Sequence, residues 1–316
     1  MRTAFRASIL AGVIAATALV AVPSNSGAAQ SELNPIHVMP TTAHARDNGL
    51  PAPAAAAGSK AGRQRSNGID YHGGPVMVAP TTNVYVIWYG DWGATTGPQK
   101  QTIITDFLRT VGGSPYYNIN TTYYNGANAK VKNSVTYVKA TLDPGSQGTT
   151  NLSDGDITTI VSSAITNKSL PADADGVYFV LTSGDVTKTG FLTQYCGWHT
   201  HATILGTDIK YSFVGDPTAQ LASCATQTLS SPNGNPAADA MVSVIAHELV
   251  EAVTDPDLNA WYDSRGYENA DKCAWTFGTI GTAANGSQFN MTLGDKPYMI
   301  QRNWVNASGG YCAISY

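Results

Sequence analysis

Residues 236–256 read PAADAMVSVIAHELVEAVTDP. Apolar residues recur at Ala237, Met241, Val244, Ile245, Leu249 and Val253, the spacing of a helix that turns one face to a core. Pro236 suits a first helical turn, and the ring of Pro256 disfavours helical backbone at Asp255, so the stretch carries its own start and stop. His247 and Glu251 are four residues apart, which places them on one face, one turn apart, able to grip one ion. The segment H-E-L-V-E differs by one residue from the H-E-x-x-H pattern of zinc peptidases, where two histidines bind zinc and the glutamate is the general base. Glu251 in place of the second histidine adds negative charge, lowers the Lewis acidity of a bound ion, and widens the choice to manganese, iron or calcium. The helix sets the expected fold: an α/β domain with a mixed twisted sheet and packed helices, with the His247 helix beneath an edge strand in a zinc-peptidase-like (zincin-like) arrangement.

Upstream, strand and helix periods alternate. Val84–Tyr89 (VYVIWY) and Val177–Thr182 (VYFVLT) read as buried strands, and 131–140, 196–205 and 211–214 as further strands. Residues 98–111 and 154–167 carry helical spacing, the first stopped by Gly112-Gly113 and the second opened by acids. Residues 256–316 are rich in Gly, Asn and aromatics and are expected to form a small loop-rich lobe beside the α/β lobe at 71–255.

The acids of the domain are unevenly spread. From Tyr71 onward the only glutamates are Glu248, Glu251 and Glu268, and the window from His247 to Asp271 adds Asp255, Asp257, Asp263 and Asp271. Such a concentration asks for a cation or a proton to share. Glu268 and Asp271 are candidates for a third ligand. So are His199 and His201, which lie two apart in a strand and face the same side. The preferred set is His247 and Glu251 with His199 plus Asp271 or Glu268, zinc as the expected ion, and Glu248 as general base for a peptide-directed hydrolysis. Asp255, Asp257, Asn259 and Asp263 also suggest the start of a calcium loop, but Ala260 and Gly266 stand where the motif needs Gly and Glu. No Gly-rich phosphate loop and no Gly-x-Ser-x-Gly elbow is present.

Met1–Arg6 carries two arginines, residues 7–22 are almost unbroken apolar, and Ser26-Gly27-Ala28 supplies small residues, so 1–28 reads as a secretory signal peptide. Residues 29–70, with Pro35, Pro40, Pro51 and Pro53 and the run Ala54–Ala57, read as a linker or propeptide in which His37 and His44 are expected to be solvated. No later stretch is long and apolar enough for a membrane span. The chain has 316 residues, a net charge of −4 and only 13% charged residues. Without a basic cluster it lacks the footprint that phosphate backbones require, which excludes a nucleic-acid role. A soluble, exported monomer is expected.

Four cysteines in an exported chain, with no Cys-x-x-Cys, point to disulfides rather than a zinc ribbon. Of three pairings, Cys196–Cys224 with Cys273–Cys312 closes each bridge within its own lobe. The second then pins the C-terminus beside Glu268 and Asp271.

Several stretches in order, namely YHGGPV (71–76), NVYVIWYG (83–90), GVYFVLTS (176–183), CGWH (196–199) and SVIAHEL (243–249), resemble the EXORDIUM, or phosphate-induced protein 1, family. The resemblance covers roughly residues 71–316. It implies a secreted, extracellular or cell-wall-associated protein, whose plant members are linked to growth control and brassinosteroid response without a settled enzymatic activity. The family's H-E-L-x-E maps onto His247, Glu248 and Glu251, and its Cys-Gly-x-His onto Cys196 and His199; His201 and Asp257 depart from the plant pattern. A second function therefore stands beside the hydrolase: a non-catalytic protein that binds a wall polymer or a receptor through exposed aromatics such as Trp92, Tyr116, Tyr117, Tyr123 and Tyr124, with a structural metal or none.

Overall fold

The computed structural model describes residues 36–47, 68–94 and 96–316, so the signal-peptide segment and most of 29–70 lie outside the described residues. In chain order the elements are β1 (His37–Pro40), α1 (Thr42–Asp47), β2 (Asp70–Tyr71), β3 (Thr82–Tyr89), α2 (Gly97–Thr110), β4 (Val135–Asp143), α3 (Asp154–Thr166), β5 (Gly176–Thr182), β6 (Tyr195–Ile204), β7 (Thr207–Gly215), α4 (Leu221–Cys224), α5 (Pro236–Thr254) and β8 (Trp261–Tyr262). Beyond β8 the chain forms short two-stranded ladders and turns.

A six-stranded mixed sheet, in the order β1-β6-β7-β5-β3-β4, is the frame. β3 pairs in parallel with β4 and β5, and β5 with β7, each through a crossover that contains a helix or a hairpin. The two innermost of these, β3 and β5, are the apolar runs VYVIWY and VYFVLT, since a parallel strand covered on both faces cannot afford an alternating pattern. β6 and β7 form a hairpin in which Ile204 faces Thr207 across Leu205-Gly206. Both turn residues have positive φ (50° and 78°), as the tight primed turn demands.

One face of the sheet holds α3 over a core of Tyr85, Ile87, Ile160, Val161, Val180 and Trp198. α3 starts at a capping box in which Ser153 and Asp156 satisfy each other's backbone N–H groups. The other face holds α2 and α5, and the core there is continuous with the C-terminal stretch through Trp261, Trp275, Tyr298 and Val305. Residues 256–316 therefore share one core with the sheet. Among the described residues, no helix is long and apolar enough to cross a membrane.

Residues 36–47 correct the expectation of an unstructured linker and a solvated His37. β1 pairs antiparallel with β6, placing His37 opposite His199 and Met39 opposite Gly197. Met39 and Ala45 are fully buried. His44 is exposed. The aromatic platform is also corrected: Trp92, Tyr116, Tyr117 and Tyr123 are at most 4% exposed and belong to the core. Tyr123 and Tyr124 instead pack edge-on against Trp261.

Candidate metal centre

α5 is buried along nearly its whole length, and its polar residues are as enclosed as its apolar ones. Asn235 caps its start by accepting from the Ala238 N–H (3.1 Å). It packs on β6 and β7. The helix and β6 meet tightly at Gly197. A Cβ there would lie 2.6 Å from Val244 Cγ1, 3.0 Å from the Phe213 carbonyl oxygen and 3.1 Å from Glu248 Oε1. Glycine at this position lets the helix press its His247–Glu251 turn against the strand that carries His199.

Five of the residues singled out from the sequence come together here, with one more. His247 Nε2 lies 3.0 Å from Glu251 Oε1 and 3.4 Å from Asp271 Oδ1. His199 Nε2 lies 3.3 Å from Glu268 Oε1 and 3.7 Å from Glu251 Oε2. His37 closes the cluster, its Nδ1 3.3 Å from Glu268 Oε1 and its Nε2 against Asp271 Oδ2. Glu268 and Asp271 are held by the loop after β8. Asn269 Nδ2 donates to the Val250 carbonyl of α5 (3.2 Å), the Asp271 N–H donates to Glu251 Oε1 (3.0 Å), and the Cys273–Cys312 bridge follows at once. On the other side, Cys196–Cys224 ties the start of β6 to α4. Both expected pairings are present, with Cα atoms 5.6 Å apart in each.

The groups fit a cation better than they fit one another. Ligands about 2.0–2.2 Å from one ion stand about 3.0–3.5 Å apart, close to the separations here. Both ring nitrogens of His199 and of His247, Glu251 Oε2, Glu268 Oε2 and Asp271 Oδ1 are buried with no hydrogen-bond partner, despite the short ion-pair distances. Buried polar atoms left in this way cost roughly 1–3 kcal/mol each, more when charged, and a native site retains them for a reason. A divalent ion would take one ring nitrogen of a histidine together with the carboxylate oxygens, and two such groups, His37 with Glu251 and Asp271 and His199 with Glu251 and Glu268, share Glu251. Nitrogen and carboxylate oxygen donors without thiolate suit zinc, manganese or iron.

Electrostatics divides the groups without an ion. Burial works against charge on His37 and His247, but nearby carboxylates outweigh it and raise both well above the ordinary histidine value: Glu268 and Asp271 for the first, Glu251 and Asp271 for the second. Burial, with the charges of His37 and His247 beside it, drives His199 well below, so its ring is neutral and has a lone pair to give. Asp271 is held well below the carboxylate range, since His37 and His247 overcome its burial. Burial raises Glu268 and Glu248 well above that range; His37 and His247 respectively offset part of the effect.

Glu248 is fully buried, with neither carboxylate oxygen hydrogen-bonded. His201 does not join this centre. Its Nδ1 bonds Asp208 (2.9 Å) and approaches Asp257 (3.6 Å), a separate half-buried group beside Lys210. The calcium-loop acids are used in turns: Asp255 accepts from the Asn259 and Ala260 N–H groups, and Asp263 from those of Arg265 and Tyr267. Reasoning from sequence missed His37. The available signal was the alternation in His37-Val38-Met39, too short to stand out.

A model of the phosphate-induced protein 1 conserved region matches residues 69–298. Among characterised relatives, Protein EXORDIUM-like 5 of Arabidopsis thaliana is 31% identical over 273 residues, covering 74% of each chain. Protein EXORDIUM-like 3 of the same plant is 30% identical over 281 residues (77% of this chain, 81% of the relative), and Protein EXORDIUM is 27% identical over 233 residues (64% and 70%). No solved structure matches the chain. With the matched region enclosing α5, β6 and the loop that holds Glu268 and Asp271, the chain belongs to the EXORDIUM, or phosphate-induced protein 1, family.

Proposed function

We propose that this protein is a secreted metal-dependent hydrolase directed at peptides, with His199, His247 and Glu251 as the ligand core and Asp271 and Glu268 completing the cage. The observation that carries the reading is that His199, Glu251 and Glu268 bring one donor atom each within 4.8 Å of one another, with unsatisfied buried atoms on all three, while His247 Nε2 lies 3.0 Å from Glu251 Oε1. Structured disulfides beside the centre suit an oxidising, extracellular setting. A bound divalent ion supplies Lewis-acid polarisation of a scissile carbonyl. Glu248, adjacent in sequence to a ligand and buried against β6, takes a proton from the attacking water as the new C–O bond forms. It returns that proton to the nitrogen as the C–N bond breaks.

The enclosure of the centre favours a second reading, a structural ion in a non-catalytic extracellular protein, because side chains other than His37 are at most 3% exposed. Elemental analysis of the purified mature chain beside His247→Ala separates these from no site at all. Near-stoichiometric metal, lost in the variant, is expected. Glu248→Gln is then expected to keep the metal and lose about 10²–10⁴-fold in peptide hydrolysis. A folded wild type that takes up no zinc, manganese or iron overturns the metal reading. A loaded protein in which Glu248→Gln changes nothing overturns the catalytic one.

A further inference from the structure

The strand that closes the metal centre is the part of it that lies outside the family's conserved region. Residues 69–298 include His199, His247, Glu248, Glu251, Glu268 and Asp271, and leave out His37. β1 is an edge strand whose sheet partner is β6. It runs antiparallel over the stretch Tyr195–His199, in front of the point where Gly197 meets Val244 and Glu248 of α5. His37 and Met39, two apart, turn to the same face: the first contacts Asp271 and Glu268, and the second is buried in the core beyond. Main-chain anchors continue past the strand. Trp275 Nε1 donates to the Pro40 carbonyl (3.1 Å), and the Thr41 N–H donates to the Gln194 carbonyl (3.0 Å).

These are the contacts that an extended peptide makes when it adds to a free sheet edge: backbone pairing for affinity, and alternate side chains in pockets for choice. His37 is also the exposed member of the cluster, its side chain 20% accessible where its carboxylate partners are 2–3% accessible. The way into the centre therefore runs through β1.

We propose that residues 36–40 stand in for an extended peptide ligand, so that β1 is an intramolecular inhibitor and the β6 edge is the docking site of a peptide antiparallel to β6. The hydrolytic fate of that peptide rests on the function proposed above; the docking edge does not.

The test uses the full chain with Met39→Asp, which places a charge where a buried methionine anchors β1. The probe is a fluorescein-labelled synthetic peptide of residues 36–47. Saturable one-to-one binding is expected by anisotropy, at least 10-fold tighter than to wild type, whose own strand competes. With zinc loaded, the His37→Ala form of the peptide is expected to bind at least 10-fold more weakly, and a chelator to extract zinc at least 10-fold faster from the variant than from wild type. Thr41→Pro, which removes the N–H bonded to Gln194, is the second variant. A folded variant that does not bind the peptide, or a wild type that binds it equally well, overturns the proposal. So does loss of native near-ultraviolet circular dichroism in both variants, which would make β1 an integral part of the core. Peptide binding without zinc uptake by any form would sink the hydrolase reading and leave the docking edge standing; zinc uptake without peptide binding would do the reverse.

Discussion

Gly197 does for this site what no other residue can do. Its missing Cβ is the space into which Val244 and Glu248 pack, and alanine there would force β6 off α5. Gly197→Ala is expected to cost about 1–3 kcal/mol, the range for overpacking a tight interior. Gly126→Ala, whose new Cβ would meet nothing nearer than the Tyr71 hydroxyl at 3.5 Å, should unfold with the wild type in urea. A second residue-scale prediction concerns Lys100, buried on α2 with its ammonium on Asp216 and on Thr218 Oγ1. Asp216 is itself 4% exposed. Lys100→Met leaves that charge without its cation, held only by the Thr218 N–H and hydroxyl, and is expected to cost about 3–5 kcal/mol in the same titration, as removal of one partner from a buried pair does. A midpoint unchanged from wild type would show that the Thr218 hydrogen bonds are enough for the Asp216 carboxylate.

The elements that carry the donors are held in unequal ways. β6 lies between β1 and β7, so His199 is positioned by strand pairing on both sides as well as by Cys196–Cys224. The loop with Glu268 and Asp271 has no such frame and depends on Asn269, a 3-10 turn at Asp271–Cys273, and the Cys273–Cys312 bridge. Each bridge closes a loop whose chain entropy corresponds to about 3–4 kcal/mol. Paired Cys→Ala variants should therefore lose similar stability and different function. Loss of Cys273–Cys312 is expected to weaken metal binding about 10-fold, as loss of an outer support does, while loss of Cys196–Cys224 changes it little. Competition with a chromophoric chelator measures both, and equal affinities would put the weight of the loop on Asn269, the Asp271–Glu251 bond and the 3-10 turn rather than on the bridge.

For the whole molecule, an ion held by the proposed centre would link stability to metal. Binding to the folded chain alone stabilises it by about 4 kcal/mol when free ion is 1,000-fold above its dissociation constant. In a domain of this size each kcal/mol moves the midpoint by about 2–4 °C. Calorimetry with and without chelator is expected to show a difference of roughly 8–16 °C, absent in His247→Ala. Coincident transitions for the wild type would mean that buried carboxylates, not an ion, share the charge.

Much of this was legible locally. Apolar runs marked β3 and β5, because a strand covered on both faces must be apolar throughout. The 3.6-residue period marked α5, and the same period put His247 and Glu251 one turn apart; parity along β6 turned His199 toward the helix. What stayed hidden depended on which distant surfaces meet. His37 and Asp271 are 234 residues apart, and a four-residue strand has too little pattern to announce its partner. The aromatics from Tyr116 to Tyr124 carry no sign in their composition of whether they face water. His199 and His201 share a face by strand geometry, yet only one reaches the centre, because α5 ends before the other. The sequence by itself determined the longer helices and buried strands from β3 to α5, their order and the i,i+4 pair of His247 and Glu251, since those follow from the covalent geometry of neighbouring residues. Tertiary structure alone decided the sheet edge, the closing histidine and the full set of donors, since these depend on packing between segments that the chain brings together only on folding.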